Sequence, residues 1–185
     1  MKIKSNLLRA AMLVQAKNDV RRYLCGLHIN RKYVQATNGH VAVQMEHSAK
    51  IRNPITIIIL GKIPAKAELT KFAFGKDGKR GGMAKHYDAL GFMIAIHPIE
   101  VVTGNFPDFT NKNIFGDIDR FDFKNPMPAI NPEYMTLPSK MFKEQRHMAM
   151  RPAPSKEGGP VLMHFSGLTK EVYGNPQFIV MPMRW

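Results

Sequence analysis

The strongest fold signal in this chain of 185 residues is RRYLCGLHINRKYVQATNGHVAV, residues 21–43. Apolar and polar residues partly alternate along it, which is typical of half-buried strands. Asn38-Gly39 favours a tight turn, because both residues tolerate positive φ. The pattern therefore predicts three consecutive antiparallel strands, over residues 20–29, 33–37 and 41–45.

The residues on either side of this meander extend it into an α+β fold. Ser5 is a suitable N-cap for a helix over 6–17, with Leu7 and Ala11 on its apolar side. A Gly/Lys-rich hairpin loop is expected at 76–82. Further strands are predicted over 55–60, 69–75, 91–96 and 99–104. The first part of the chain is therefore expected to pack a helix against an antiparallel sheet.

The composition changes in the second half of the chain. Residues 111–128 are rich in Asn, Asp, Phe and Pro and lack a lasting period, which predicts a stiff linker. The linker would separate a first section, 1–110, from a second section, 129–185.

The second section begins with a helix signal, because Asn131 is a suitable N-cap and Pro132 suits the first helical position. Pro138 is expected to interrupt this helix and to leave 139–147 as the better helical piece. Residues 151–160 are expected to form a loop. Strands are then predicted over 161–167, 169–174 and 177–183.

The charge of the chain is strongly basic, with 27 Lys and Arg against 14 Asp and Glu and a net charge of +13. Residues 1–100 carry a net +11 of this and the remainder only +2. Such a field attracts polyanions such as nucleic acid. We expect a nucleic-acid partner, and the alternative that the charge serves only solubility stays open.

The sequence predicts a cytoplasmic protein. Cys25 is its single cysteine and has no partner for an internal disulfide. The basic N-terminal stretch lacks the uninterrupted apolar region of a signal peptide, because Arg9 breaks it. The longest apolar run, ITIIIL at 55–60, is too short to cross a bilayer.

Catalytic chemistry is not indicated. The seven His are scattered without the spacing of metal ligands, so no metal site is expected. The segment GKDGKRGG, 75–82, lacks the spacing of a phosphate-binding loop, and acidic residues are too sparse for a two-metal centre. We expect a non-enzymatic protein without a cofactor.

Basic residues of the predicted helix and its surroundings are candidates for contacts with duplex DNA phosphates. An ordinary solvated face is the alternative for each of them. The candidates are Lys2, Lys4, Arg9, Lys17, Arg21 and Arg22.

Four segments of this sequence resemble segments of the bacterial sliding clamps, the beta subunits of DNA polymerase III, and they occur in the order expected for that family. RRYLCGLHI and YVQATNGHVAV resemble the family's strand and its turn, and the ending FIVMPMRW is similar to that of the family. TGNFPDF resembles the segment that closes the clamp's middle domain, and AINPEYM the start of a helix in the last domain. The four segments occupy residues 21–43, 103–109, 129–135 and 178–185.

The resemblance implies clamp-like modules in which helices line one side of a curved antiparallel sheet. It implies a processivity factor that encircles duplex DNA and binds short linear peptides of the polymerase and the clamp loader in an apolar pocket. Met and Pro suit such a pocket, because they form adaptable apolar surfaces. By motif, the pocket residues would be Thr37, Gly39, His40, Ala42, Pro107, Ile179, Val180, Met181, Pro182, Met183 and Arg184.

The chain is about half as long as members of the family, and it resembles their middle domain plus the C-terminal part of their last domain. The segment 61–68 is too short and too broken by Pro64 for the family's second helix. A homo-oligomeric ring would then need three or four copies. A compact, strongly basic version also suggests a phage-encoded protein. The alternatives are a ring-less mimic that competes for clamp-binding partners and a basic, β-rich DNA-binding module.

Overall fold

A computed structural model of the chain describes residues 1–75, 81–111, 114–143 and 148–183. Four sequence predictions therefore lie partly or wholly outside the described residues. They concern residues 76–80 of the expected hairpin loop, 112–113 of the expected linker, 144–147 of the expected helical piece, and Arg184.

In the described part of the chain, eleven strands form one antiparallel sheet. The strands are β1 Lys2–Lys4, β2 Leu27–Ile29, β3 Tyr33–Thr37, β4 Val41–Glu46, β5 Ile55–Ile59, β6 Leu69–Phe74, β7 Gly81–Tyr87, β8 Met93–Val102, β9 Met150–Pro154, β10 Val161–Phe165 and β11 Gln177–Val180. Their order across the sheet is β1-β6-β7-β8-β5-β2-β3-β4-β11-β10-β9.

The same part of the chain contains three α-helices and two short 3-10 helices. The α-helices are α1 Ser5–Met12, α2 Pro132–Met141 and α3 Gly167–Val172, and the 3-10 helices are Arg22–Cys25 and Lys156–Gly158. Helices packed on an antiparallel sheet confirm the predicted α+β class. The sheet runs through both predicted sections, because β11 pairs with β4 and places Phe178 opposite Val43.

The two faces of the sheet carry different clusters, as the alternation of the strands requires. On the inner face, Val34, Val43 and Phe178 pack with the helices α1 and α2 in the main apolar core. On the opposite face, which we call the outer face, a smaller cluster forms where residues 106–111 and 114–121 lie over the sheet. It contains Ala42, Phe109, Phe115, Leu162 and Ile179.

Two strand predictions differ from the structure, one next to Gly26 and the other at His97-Pro98. The first half of the predicted strand 20–29 is the 3-10 helix Arg22–Cys25, and Gly26 follows it where a Cβ would lie 2.9 Å from the Ile57 carbonyl oxygen. The predicted break at His97-Pro98 is absent, since β8 runs through these described residues. The Pro98 carbonyl oxygen accepts a hydrogen bond from the Leu60 N–H, and the Pro98 nitrogen points to the same side of the strand. Leu60 lies just beyond the end of β5, so the missing N–H of Pro98 removes no hydrogen bond between β8 and β5.

Three predictions in the second section were wrong. α2 continues through Pro138 to Met141, and both side chains are buried. The expected loop 151–160 contains β9, which pairs with β10. The expected strand 169–174 is mostly α3, because Thr169 and Tyr173, four residues apart, are both buried on one side of a helical turn.

The segment between β5 and β6 contains no helix in its described residues, as the sequence predicted. The α1 side chain of Arg9 reaches this segment and donates hydrogen bonds to the carbonyl oxygens of Pro64, at 3.0 Å, and Ala67, at 2.7 Å. One helix thus supplies hydrogen bonds to a region where the chain has no second helix of its own.

Candidate apolar groove on the outer face

A cavity of about 200 Å³ opens on the outer face, between the sheet and the side chains of Pro107, Phe109 and Ile114. We call it the apolar groove. Six of the residues named by the family resemblance line it together, although they come from widely separated parts of the chain. These six are Thr37, Gly39, Ala42, Pro107, Ile179 and Met181.

The strand register explains this convergence. Ala42 of β4 lies opposite Thr37 of β3 on one side and opposite Ile179 of β11 on the other. Residues paired directly across strands point to the same face of the sheet. All three side chains therefore face the groove.

The β3–β4 turn is fixed by its own hydrogen bonds. Thr37 Oγ1 donates to the Val41 carbonyl oxygen at 2.7 Å and accepts from the Gly39 backbone N–H at 3.0 Å. Asn38 Oδ1 accepts from the His40 backbone N–H at 2.9 Å. Gly39 has a φ of +90°, a conformation that favours glycine. The rim of the groove is therefore pre-organised.

The remaining predicted pocket residues do not line this cavity. His40 lies next to it and accepts a hydrogen bond at its carbonyl oxygen from the Met181 N–H, 2.8 Å away. The Val180 side chain is fully buried in the main core on the inner face. Met183 is about half exposed, and its N–H donates to the Ala129 carbonyl oxygen. Pro182 is half-buried, and Arg184 lies outside the described residues.

The segment 103–109 closes one side of the groove. Gly104 has a φ of +141°, and a Cβ there would lie 2.7 Å from Cδ1 of Tyr23. The Phe106 ring is stacked on the imidazole of His28, with centroids 4.6 Å apart. The ring of Phe109 packs on that of Phe106, so this segment is anchored on the outer face by aromatic contacts.

Arg21 is in the groove lining, although the sequence reasoning placed it on a DNA-binding surface. Its guanidinium forms an ion pair with Asp19 at 2.9 Å. Hydrogen bonds from Arg21 lower the pKa of Asp19 to about 2. The groove therefore has an apolar interior and a cation at its edge.

The sequence reasoning missed five other residues of the lining. Phe109 belongs to the quoted segment TGNFPDF, so its motif was a signal that could have found it. Tyr23 and Leu24 face the groove because the 3-10 helix turns them there, which an expected strand did not predict. The five missed residues are Tyr23, Leu24, Val41, Phe109 and Ile114.

The six predicted DNA-contacting residues fall into two groups. Arg9, Arg21 and Arg22 are engaged within the chain, the last through an ion pair with Glu100 at 2.7 Å. The other three are exposed and form no ion pair with another described residue, and two of them lie on the edge strand β1. These three are Lys2, Lys4 and Lys17.

Two other kinds of feature are absent from the described residues. They contain no group of three or more His, Cys, Asp or Glu side chains placed to hold a metal ion. None of the helices in the described ranges combines the length and hydropathy that a membrane span requires.

No protein-family model matches the sequence, and no curated protein sequence matches it. Solved structures do match it over its whole length. This chain has the fold of the bacterial DNA sliding clamps. Similar structures are the DNA polymerase sliding clamps of Bacillus subtilis (14% identity, TM-score 0.63) and Pseudomonas aeruginosa (15%, 0.61). The DNA polymerase III subunit beta of Borrelia burgdorferi is similar as well (13%, 0.64).

The alignments cover 100% of this chain and 64%, 66% and 62% of those three chains, respectively. The clamp fold here thus spans less than two thirds of the length of these proteins. At such low identity the likeness concerns the fold, and the function needs its own argument from the residues.

Proposed function

We propose that this protein is a non-enzymatic, sliding-clamp-type processivity factor of DNA replication that acts in the cytoplasm. It would consist of one reduced clamp-like domain, 1–110, a linker at 111–128, and part of a second domain, 129–185. The observation that carries the proposal is the apolar groove. Residues from three of the family-like segments, at 21–43, 103–109 and 178–185, line this one cavity.

The groove has the properties of a peptide-anchoring site. Its volume of about 200 Å³ is below the roughly 300–1,000 Å³ of cavities that enclose small-molecule ligands. It suits one or two apolar anchor side chains of a linear peptide. Met181, 38% exposed, supplies an adaptable apolar surface at its mouth. Short segments of the DNA polymerase and the clamp loader are the proposed occupants.

Duplex DNA is the second proposed partner. The net charge of +13 attracts the phosphate backbone, and exposed lysines contact phosphates without reading bases. Lys2, Lys4 and Lys17 are the predicted residues that are exposed and form no ion pair within the described ranges of the chain. A ring of three or four copies would hold the duplex topologically.

The ring is tested by multi-angle light scattering and by retention on DNA. We expect a discrete trimer or tetramer, retained on nicked circular DNA and lost when the same DNA is linearised. A monomer at micromolar concentration that is retained equally on both forms would contradict the ring. Binding of a short peptide with leucine and phenylalanine anchors tests the groove separately.

A ring-less clamp mimic that competes for clamp-binding partners is the second candidate, and the edge strand β9 favours it. The backbone N–H groups of a strand point alternately to its two sides. The Ser155 N–H donates toward β10, so the nitrogens of Pro152 and Pro154 point to the opposite side, which is the free edge of the sheet. Because proline has no N–H, neither residue offers a donor at that edge. The Pro154 carbonyl oxygen already accepts from Asp122 and Asn125. This edge therefore offers little for strand pairing with another copy. A strict monomer that still binds the peptide would support this candidate.

A further inference from the structure

A second, larger cavity lies on the outer face, next to the apolar groove. Its volume is about 690 Å³, and we call it the polar groove. Phe109 contacts both cavities, and Phe115 lines only the larger one. The size lies within the range of about 300–1,000 Å³ that is usual for ligand sites.

The floor of the polar groove is a ladder of side-chain amides. Gln35, Gln44 and Gln177 lie opposite one another on β3, β4 and β11. Gln35 Nε2 donates to Gln44 Oε1 at 2.9 Å, and Gln44 Nε2 donates to Gln177 Oε1. Asn30 Nδ2 donates to Gln35 Oε1 at the other end. The ladder thus runs in one direction and ends on the amide nitrogen of Gln177.

Buried amides of this kind form a specific surface. Gln35 and Gln44 are 5% and 6% exposed, so their orientation is set by the ladder. Each amide nitrogen carries two hydrogens, and the ladder uses one hydrogen of Gln35 and one of Gln44. The amide nitrogen of Gln177 donates to no partner in the described part of the chain. A flat ligand with hydrogen-bond acceptors complements this floor.

The rim of the polar groove is cationic. Arg31, Lys32 and Arg52 line it, and its described lining residues include no carboxylate. Arg31 Nε donates to the Arg52 carbonyl oxygen at 3.4 Å, which holds the two arginines close together. Lys32 is paired with Glu46 at 3.2 Å, whereas the guanidinium groups of Arg31 and Arg52 have no carboxylate partner among the described residues. Two arginine side chains that line one cavity, with no carboxylate partner in the described part of the chain, favour the binding of an anion there.

We propose that the polar groove binds a nucleotide unit, with its phosphate on Arg31 and Arg52 and its base on the amide floor near Gln177. Arginine is suited to phosphate because its planar guanidinium donates two parallel hydrogen bonds. An acidic peptide would use the cations and leave the amide floor without a function. The unit comes either from a free mononucleotide or from single-stranded nucleic acid, which shares the same chemistry.

This site is independent of the proposed clamp role. It lies on the outer face of the sheet, opposite the helices, and it shares no basic residue with the predicted DNA-contacting set. Failure of the ring or peptide experiments therefore leaves it untouched, and its own failure leaves them untouched.

Fluorescence anisotropy with a labelled single-stranded oligothymidylate of twelve nucleotides tests the proposal on the full chain. The double variant Arg31→Ala/Arg52→Ala is expected to weaken binding at least tenfold. It should also lower the slope of log K against log salt by about 0.7 for each phosphate that the variant no longer neutralises. The matched control is Lys62→Ala/Lys66→Ala, which removes two exposed charges that line neither the polar groove nor the apolar groove. It should weaken binding less than threefold.

The variant Gln177→Glu separates the amide floor from the rim. The new carboxylate can still accept the hydrogen bond from Gln44, but the terminal amide donor is gone. We therefore expect the affinity for the oligonucleotide to fall at least fivefold, although the net charge changes by only one. Competition with thymidine monophosphate distinguishes the sources. Displacement at millimolar concentration points to the free nucleotide, and displacement only by oligonucleotide points to the single strand.

Three results would overturn the proposal. Equal losses in the control and the double variant would mean attraction by net charge alone. An unchanged affinity in Gln177→Glu would mean that the amides do not contact the base. Displacement by polyglutamate as effective as that by oligonucleotide would identify an acidic peptide as the occupant.

Discussion

The imidazole ring of His40 is stacked on the phenol ring of Tyr134, with centroids 5.8 Å apart and planes 14° from parallel. His40 is in the β3–β4 turn beside the apolar groove, and Tyr134 is in α2. We expect a double-mutant cycle of His40→Ala and Tyr134→Ala to give a coupling energy of about 0.5–1.5 kcal/mol in urea unfolding. Tyr134→Phe should retain it. Strictly additive effects of the two substitutions would show that the stacking contributes nothing.

Met181 is the most direct test of the apolar groove. Met181→Asp places a charge at its mouth, and we expect the affinity for a peptide with leucine and phenylalanine anchors to fall at least tenfold, as measured by anisotropy. Met83→Asp is the matched control, because Met83 is 40% exposed on β7 and lies outside the groove. If both variants bind the peptide as the wild type does, the groove is not the peptide site.

A side chain at Gly104 is predicted to destabilise the fold. Gly104→Ala would combine a φ of +141° with a Cβ 2.7 Å from the Tyr23 ring. We expect the free energy of unfolding to fall by about 1–3 kcal/mol in urea titrations. Gly167→Ala is the control, since a Cβ at this first residue of α3 meets no atom within 4 Å. Equal stability of the two variants would contradict the packing of Tyr23 on Gly104.

A buried hydrogen-bonded chain links α1 to β6, β7 and β8. Ser5 Oγ lies 2.8 Å from Thr70 Oγ1, which lies 2.9 Å from His86 Nδ1. His86 Nε2 lies 3.0 Å from His97 Nδ1. Burial, followed by the neighbouring charges of His97 and Arg9, lowers the pKa of His86 to about 4.

Because His86 is buried in this series of hydrogen bonds, we expect the folded protein to lose stability in mild acid. An unfolded His takes up its proton near pH 6.5, while folded His86 resists protonation until its pKa of about 4. The unfolded state therefore binds more protons as the pH falls from 6.5 to 4, at a cost of up to about 3 kcal/mol. Urea unfolding of the wild type should show this slope, and His86→Gln should flatten it. Parallel slopes in both proteins would contradict the assignment to His86.

The prolines of β9 are predicted to prevent pairing at that edge. Pro152→Val restores an N–H at the free edge, and we expect self-association that increases with concentration, measured by light scattering. Pro126→Val, an exposed position outside the strands, should leave the association state unchanged. An unchanged state in Pro152→Val would show that this edge is blocked by something other than proline.

Strands with clear alternation could be predicted from the sequence, and segments governed by tertiary contacts could not. The alternation around Val34 and Val43 predicts β3 and β4 almost to the residue. The residues around Tyr23 have a similar pattern but fold into a 3-10 helix, which ends at an extended Gly26 whose Cβ, if present, would lie 2.9 Å from the Ile57 carbonyl oxygen. The strand β9 carries two prolines and has the pattern of a loop until β10 is known to pair with it.

The candidate site shows the same division. The family motifs predicted Thr37, Ala42 and Ile179 as pocket residues, and the strand register shows that their side chains share one face of the sheet. The neighbouring Val180 carries equal weight in the motif, but strand alternation turns it into the opposite core. Arg21 is predicted as a DNA contact from its charge, although it is the first residue of the family-like segment 21–43, and it lies at the apolar cavity next to the 3-10 helix that follows it.

The apolar groove is built from both ends of the chain, from Arg21 to Met181. An unfolded chain cannot assemble it, so any ligand that fills it binds the native state alone. Such a ligand at a hundred times its dissociation constant raises the free energy of unfolding by about 2.7 kcal/mol. A rise in melting temperature would therefore reveal occupants of the groove before any partner protein is purified.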